Sequence, residues 1–382
     1  MMTQSGLQVL TERFATLTDP RMKRTRWHEL VEIVMIAVCG AICECNSWED
    51  LPRYGRAKQD WLSGFLKLPN GIPSADTFAR VFQRLKVDEF LQCLSSIVTV
   101  LRRDESQEVV AIDGQTLRGS GHDLTGRHPL HLVRAWATTN RLVLGQQACA
   151  EKSNEITAIP QLLKVIEIEG AIVTIDAMGC QTEIADGIIE RKADYVLAVK
   201  DNQPTLHTEI RQAFEQALEQ ATSGLKPTFI EHVERQQQRG RTEIRRYYML
   251  PVPKGSSTFG RWRAAKIIGM VIRSRTIQGR EQLEAHYYLN SLPLGVKRFA
   301  RAARGHWGIE NRLHWTRDVL FAQDASRIRK DSSPEIASRL RQLALMILQR
   351  DTQLKGSLRS KRKQAGWNDA YLETLLAQIT DK

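Results

Sequence analysis

The chain has 382 residues, of which 42% are hydrophobic and 26% are charged, as is typical of a globular protein with room for two or three domains. The net charge of +12 favours a polyanionic partner, nucleic acid first, although a solvated basic surface would give the same charge. The six cysteines form no paired framework, and the longest apolar run, residues 30–43, is too short for a membrane span. We therefore expect a cytoplasmic protein with neither a signal peptide nor a membrane anchor.

Residues 1–104 are expected to form an N-terminal helical domain. The apolar run within it predicts a buried helix, and a second helix, TFARVFQRLK, follows the turn PNGIPSAD. The aromatic residues of this second helix share one face, while Arg80 and Arg84 project from another. Such a helix could enter a DNA groove, and it could equally be a solvated helix of a small bundle.

The pattern changes at about residue 105. Residues 105–226 alternate between β-branched runs and helical segments, which predicts the first part of an α/β core. Residues 227–295 contain short strand-like runs and no convincing helix, so they are expected to form a β-rich insertion. Helical periodicity returns over 296–350, and 351–382 are expected to form a basic C-terminal tail that adds phosphate contacts.

Two of the predicted strands, VVAID and IVTID, end in Asp113 and Asp176. Strands disfavour aspartate, and functional groups of α/β sheets gather at the carboxyl ends of the strands. Either aspartate could instead cap the turn after its strand, but two copies of one arrangement favour a shared role. Carboxylates are the usual ligands of Mg²⁺, and two such ions about 3.5–4 Å apart promote phosphoryl transfer.

A third acidic residue lies in RGHWGIENRLHW, residues 304–315. On a helix, His306, Glu310 and His314 share one face beside an apolar stripe. Glu310 could be a metal ligand, a general base or an ion-pair partner of Arg317. Zinc ligation by the two histidines is disfavoured because eight residues of helix separate them by about 12 Å, whereas zinc lies about 2 Å from each nitrogen.

Several motifs in order resemble those of the DDE transposases of bacterial insertion sequences, in the branch of the H-repeat-associated proteins. The resemblance covers nearly the whole chain and is carried by AIDGQTLRGS, EKSNEITAIPQLL, TIDAMGCQ, ADYVLAVKDNQ, RGRTEIR and RGHWGIENRLHWTRDVLF, with IPSADTFARVF near the N-terminus. It implies an α/β fold: an RNase H-like mixed-sheet core with a β-rich insertion before the last catalytic helix, plus the N-terminal helical domain. The family's Asp-Asp-Glu triad would then be Asp113, Asp176 and Glu310.

The resemblance also implies cofactors and partners. The triad would bind two Mg²⁺ ions, with Mn²⁺ able to substitute, and would cut the terminal repeats of the element and join them to target DNA. The N-terminal helices would recognise the repeats, and a homodimer would hold two ends in a synaptic complex at the bacterial nucleoid. Within the insertion, Arg239 and Arg241 are candidate DNA contacts, although a charged, solvated strand edge would look the same.

The superfamily's signature around the glutamate, Tyr-x2-Arg-x3-Glu-x6-Lys, reads Ala303, His306, Glu310 and Arg317 in this chain. Glutamate and a basic last residue are kept, whereas the tyrosine is absent and the arginine is histidine. We expect His306, His314 and Arg317 to face the phosphates of the cut strand. Two other functions remain open: a structure-selective nuclease without strand transfer, and a decayed copy that only binds DNA.

Overall fold

The computed structural model describes residues 6–103, 107–121, 128–149, 154–238, 241–277 and 280–379. The helices are α1 (Gly6–Ala15), α2 (Leu30–Ile42), α3 (Asp50–Ala57), α4 (Gln59–Ser63), α5 (Ala75–Arg84), α6 (Val87–Leu101), α7 (Glu155–Val165), α8 (Thr182–Glu190), α9 (Pro204–Thr222), α10 (Ser257–Gly260), α11 (Val296–Gly308), α12 (Trp315–Phe321), α13 (Ser333–Arg350), α14 (Leu358–Trp367) and α15 (Asp369–Leu376). The strands are β1 (Val109–Leu117), β2 (Leu130–Ala137), β3 (Leu142–Ala148), β4 (Ile172–Ile175), β5 (Asp194–Val199), β6 (Ile230–Gln238), β7 (Arg241–Pro251), β8 (Ile267–Ile277) and β9 (Arg280–Asn290).

All of these strands belong to one mixed sheet with the order β3-β2-β1-β4-β5-β9-β8-β7-β6. The strands β1, β4 and β5 are parallel to one another, and α7 and α8 provide the crossover connections to β4 and β5. The remaining neighbours are antiparallel. Helices and a mixed sheet confirm the α/β class predicted from the alternating pattern.

The N-terminal helices share a hydrophobic core with the C-terminal part of the chain. The helix α2 is apolar on all sides, and it packs between α1 and α13. Its one charged residue, Glu32, is buried but completes a capping box with Glu29 and accepts a hydrogen bond from the Leu68 backbone at 2.8 Å. These bonds explain how a carboxylate is tolerated in the apolar run. Within the described residues, no helix has the length and hydropathy that a membrane span requires.

The expected β-rich insertion is a continuation of the central sheet. Its strands β6 to β9 form an antiparallel meander, and β9 pairs with β5, with Val196 opposite Asn290. One short helix, α10, lies between β7 and β8, so the expectation that 227–295 holds no helix is wrong at that point. Ser256 caps this helix by accepting a hydrogen bond from the Thr258 backbone.

The segment expected as a basic tail folds onto the protein. It forms α14 and α15; the leucines of α15 are buried, and so are Lys361, Arg362 and Ala365 of α14. Lys361 pairs with Asp351 at 3.0 Å, and Arg362 donates to the Ala41 carbonyl oxygen at 2.9 Å. The expectation of exposed, phosphate-binding cations is therefore wrong for these two residues, because both are buried and their side chains bond to other parts of the protein.

Candidate active site

The parallel pairing of β1 and β4 brings the two aspartates level with each other. Ile112 lies opposite Ile175 in the register, so the next residue on each strand is Asp113 or Asp176. Neighbouring strands are about 4.8 Å apart, which places both carboxylates at one edge of the parallel part of the sheet. The expected convergence of the two residues therefore follows from strand direction and register.

Asp176 also performs the capping role that was its alternative interpretation. Its Oδ1 accepts a hydrogen bond from the Gly179 backbone at 3.3 Å, which fixes the turn between β4 and α8. The Asn202 side chain donates to the Ala177 carbonyl oxygen at 2.5 Å and ties this turn to the one after β5. Since the turn uses only one oxygen of Asp176, the structural and chemical roles are compatible.

Glu310 lies in a π-helical turn, Ile309–His314, that joins α11 to α12. A single π-turn inside a helical segment is frequent at functional sites. Ile309 and Leu313 are buried as the apolar stripe predicted, and Glu310 is exposed. A continuous α-helix was expected here, and the π-turn changes which side chains share a face because its hydrogen bonds span five residues instead of four.

Two glycines of the same motif allow α11 to lie close to the sheet. A Cβ at Gly308 would stand 2.7 Å from the ring of Trp136, and one at Gly305 would stand 3.0 Å from a methyl group of Val109. Both contacts are closer than side chains normally allow. The glycines therefore set the approach that brings the π-turn to the strand carrying Asp113.

The electrostatics of Asp113 reflect this convergence. Burial, together with the charges of Asp176, Glu155 and Glu310, raises the pKa of its carboxyl to about 7. Burial is also the first cause of the raised pKa of Asp176, where Glu155 acts in the same direction and Lys200 opposes it. The three predicted carboxylates are thus close enough to influence one another, and we call Asp113, Asp176 and Glu310 the acidic site.

Near this site His314 is buried and His306 is half-buried, and both are uncharged. The Nδ1 of His306 is 3.2 Å from the hydroxyl of Thr174, and burial lowers the pKa of the ring to about 4. The Nδ1 of His314 is 3.5 Å from the Asp113 carboxylate, yet burial lowers its pKa to about 2. Neither ring offers a cation to a phosphate at neutral pH, so the expected phosphate-facing role is not supported by their surroundings.

Arg317 requires a clearer correction. Its side chain is fully buried and donates to both the carbonyl oxygen and the hydroxyl of Ser338 at 2.7 Å. The guanidinium anchors α12 to α13 and does not reach the surface. The expectation that Arg317 faces DNA is wrong, because the guanidinium is enclosed within the protein and bonds to Ser338 instead of a phosphate.

The predicted cations of the N-terminal region are exposed. The Arg80 side chain is 73% exposed and lies 3.8 Å from Asp76, and Arg84 is exposed on the same helix. Arg239 lies outside the described residues. Arg241 begins β7, and only its backbone is described.

Arg80 lines a groove of about 1020 Å³ between the N-terminal helices and the segment that joins α12 to α13. We call it the basic groove because its wall has five basic side chains against two acidic ones, namely Arg80, Arg327, Arg329, Lys330 and Arg341 against Glu49 and Asp76. The groove adjoins the end of β1, where a Cβ on Gly119 would lie 2.3 Å from the Ser326 carbonyl oxygen. The strand β1 ends at Leu117, four residues or about 13 Å beyond Asp113, and Gly119 lies in the tight turn that follows.

Two residues near the acidic site were not selected from the sequence. Glu155 begins α7 and raises the pKa of both aspartates, and Lys200 follows β5 and is exposed. Both lie within the quoted motifs, EKSNEITAIPQLL and ADYVLAVKDNQ, so the signal was present. The strand pattern also indicates Lys200 as a candidate site residue, because it follows a third parallel strand at the same edge of the sheet.

The donor set suits a hard divalent cation. Three carboxylates and no thiolate converge, and their mutual repulsion is what a bound cation would relieve. Among the described residues, no three acidic, histidine or cysteine side chains are already arranged around a single point where an ion could bind. Mg²⁺ needs only one or two protein carboxylates beside its waters and the substrate phosphate, so the residues fit this ion.

Comparisons with known proteins agree with this geometry. The family model for the transposase DDE domain matches residues 104–347, and the DDE_Tnp_1-associated model matches residues 11–98. The chain is a member of the DDE transposase family. This membership gives the α/β core of the fold its RNase H-like assignment, as the sequence motifs implied.

Full-length relatives carry the same assignment. The chain is 34% identical over 376 residues to the protein named "H repeat-associated putative transposase YhhI" of Escherichia coli (strain K12), covering 97% of this chain and 98% of that one. It is 33% identical over 382 residues to "Putative transposase YncI" of Escherichia coli O157:H7, covering 98% and 96%. The match confirms the branch of H-repeat-associated proteins that the motifs resembled.

Proposed function

We propose that this DDE transposase family member cuts DNA at the ends of a bacterial insertion sequence and joins the freed ends to target DNA. The observation that carries the proposal is the register of β1 and β4, which sets Asp113 and Asp176 side by side with Glu310 within electrostatic reach. Three carboxylates from distant parts of the chain, on a protein with a net charge of +12, suit phosphoryl transfer on a polyanion.

The acidic site would hold two Mg²⁺ ions, with Mn²⁺ able to substitute. Bound there, such ions lower the pKa of water and stabilise the attacking and leaving oxygens. The protein's own contribution is positional: the strand register fixes Asp113 beside Asp176, and the close approach of α11 fixes Glu310. His306 and His314 stay neutral and therefore do not compete with the ions for the carboxylates.

Two displacements at phosphorus complete the reaction. In the first, the oxygen of a water molecule bonds to phosphorus at the element end, the P–O3′ bond breaks, and the 3′-oxygen leaves as a hydroxyl after taking a proton. In the second, that 3′-hydroxyl attacks a target phosphate, loses its proton and displaces the 3′-oxygen of the target strand. Both steps use the same in-line geometry and the same carboxylates.

The basic groove is our candidate for the surface that holds the terminal repeats. The groove adjoins the end of β1, about 13 Å along this strand from Asp113, so a DNA strand bound there would extend to the acidic site. Arg80 and Arg84 would contact the repeat, and Lys200 would contact the phosphate next to the cut. We further propose that Arg239 and Arg241 contact DNA, that a homodimer holds two ends in the synaptic complex, and that the protein acts at the nucleoid in the bacterial cytoplasm.

A nicking and joining assay tests the proposal. Labelled DNA from the flanking terminal repeats is incubated with the full chain and with Mg²⁺ or Mn²⁺, and the products are compared with those of Glu310→Gln. Metal-dependent 3′-hydroxyl ends and joined products, both absent in the variant, are the expected result. Cuts without joined products would favour a nuclease, and binding without cuts would favour a decayed copy that acts only as a DNA-binding protein.

A further inference from the structure

Glu155 is held beside the acidic site by a connected pair of hydrogen bonds. Its Oε1 is 2.9 Å from the Nε2 of His131 on β2, and the Nδ1 of that ring is 2.8 Å from the hydroxyl of Thr116 on β1. The Glu155 side chain is 14% exposed, so it is close to buried. The first residue of α7 is thereby fixed to the strand that carries Asp113.

The residue after Asp113 leaves the space that Glu155 fills. A Cβ at Gly114 would stand 2.1 Å from the Oε1 of Glu155 and 2.5 Å from the Nε2 of His131. Side chains do not approach this closely, so any residue other than glycine at position 114 would displace the carboxylate. Because Gly114 has no side chain, the carboxylate of Glu155 can lie against the backbone of β1, at the residue next to Asp113.

This arrangement adds a further negative charge beside Asp113, whose cross-strand neighbour on β2 is the buried Arg134. The charge of Glu155 acts on both Asp113 and Asp176 and disfavours ionisation of each. An acidic residue is favourable in the first turn of a helix, but this effect alone requires no particular direction of the side chain. Glu183, in the first turn of α8, meets the same helix preference and is exposed.

We propose that Glu155 is a fourth carboxylate of the metal site, bonding to the waters of the hydrated divalent cation while His131 fixes the direction of its side chain. The inference rests on the proposed function, since it concerns the same cation. Mg²⁺ retains several waters in protein sites, and carboxylates that bond to those waters orient and stabilise the ion. Glu155 is a positioning residue in this scheme and makes no bond to the DNA.

A purely structural ion pair between α7 and β2 is the competing explanation, and the variant Glu155→Gln separates the two. The glutamine keeps the volume and an oxygen that can accept the hydrogen bond from His131 Nε2, in the tautomer with its proton there. It removes only the negative charge. If Glu155 only links α7 to β2, this hydrogen bond and the stability of the protein should be kept. If Glu155 helps to bind a hydrated cation, the affinity for the cation should fall.

The experiment is a Mn²⁺ titration of the full chain, followed by electron paramagnetic resonance of the free ion, with thermal unfolding measured on the same samples. The variants are Glu155→Gln, Asp176→Asn as the positive control for loss of binding, and Glu183→Gln as the matched control at the start of α8. We expect Glu155→Gln to weaken Mn²⁺ binding about tenfold, the lower end of the effect of lost outer partners of a metal site. Its melting temperature should match that of the wild type, and Glu183→Gln should leave both quantities unchanged.

Each other result has a definite meaning. Wild-type affinity in Glu155→Gln, together with lost binding in Asp176→Asn, would overturn the role of Glu155 and leave the proposed function standing. A fall in melting temperature with unchanged Mn²⁺ affinity would assign Glu155 to the structural tie. If the wild type binds no Mn²⁺ with or without terminal-repeat DNA, the proposed function fails along with this inference.

Discussion

The two halves of the nine-stranded sheet use charged residues in opposite ways. In the part formed by β1, β4 and β5, the strands are parallel, and acidic residues gather at one edge, where burial and the neighbouring carboxylates raise the pKa of Asp113. In the antiparallel half, charges are paired across the strands: Glu243 on β7 contacts Arg273 and Arg275 of β8, the latter at 3.4 Å, and Arg245 of its own strand at 2.8 Å. Strand direction therefore decides whether similar residues converge into a reactive site or cancel one another.

The largest expected effect comes from removing a carboxylate in the parallel half. Asp176→Asn or Glu310→Gln should reduce metal-dependent nicking by about a hundredfold or more, because several kcal/mol of charge stabilisation by the ions is lost. The rate is measured with labelled terminal-repeat DNA. Glu243→Gln, a carboxylate of the antiparallel half, serves as the control and should nick at the wild-type rate. Equal losses of nicking rate in all three variants would contradict the proposed difference between the two halves of the sheet.

A second effect is expected in the basic groove at the end of β1. Reversing two exposed charges with Arg327→Glu and Lys330→Glu should weaken terminal-repeat binding by about tenfold or more. The slope of the logarithm of the binding constant against the logarithm of the salt concentration should fall in magnitude by about two, one for each lost phosphate contact. Binding is measured by fluorescence anisotropy at several salt concentrations. The matched control is Arg261→Glu, an exposed arginine in the connection from α10 to β8. An equal slope change in the control would mean that net charge alone matters.

A smaller effect is expected at Lys200, which follows the third parallel strand. Lys200→Met should raise the DNA concentration needed for half-maximal nicking by about threefold to tenfold, since one phosphate contact is worth about 1 kcal/mol. Steady-state nicking at varied DNA concentrations measures this. Lys266→Met, at an exposed position just before β8, is the control. An unchanged half-maximal concentration in Lys200→Met would remove this residue from the DNA surface.

The smallest effect concerns stability in the antiparallel half. Glu243→Gln should lower the free energy of unfolding by about 1 kcal/mol, because the partly buried carboxylate neutralises several arginines. Denaturant unfolding measures the change, which should shrink in high salt as the released arginines are screened. A loss of nicking larger than the loss of folded protein would connect this half to the chemistry and contradict the division.

The sequence was sufficient for the alternation of strands and helices in 105–226 and for the edge of the sheet where the aspartates lie. The runs VVAID and IVTID are short and β-branched, with a hairpin and then a helix between them, and a connection through a helix favours a parallel strand. The sheet's continuation through β9 was not predictable, because an antiparallel meander has the same local pattern whether it stands apart or joins a neighbouring strand.

The environment of the charged residues was harder to predict. Arg317 and His314 lie in the same motif as Glu310, yet the first is fully buried against Ser338 and the second is neutral beside Asp113. The π-turn at Ile309–His314 shifts the helical face by an amount that residue spacing does not reveal. Glu155 was hidden because its role depends on Gly114 and His131, which are distant in sequence and meet only in the folded sheet.

The most direct test of the central claim is a crystal structure of the full chain soaked in Mn²⁺, with anomalous scattering used to locate the ion. The account predicts an anomalous peak within ligand distance of the Asp113 and Asp176 carboxylates and on the side facing Glu310, absent from crystals of Asp176→Asn. A peak elsewhere, or none at these carboxylates in crystals that show Mn²⁺ at another site, would contradict it.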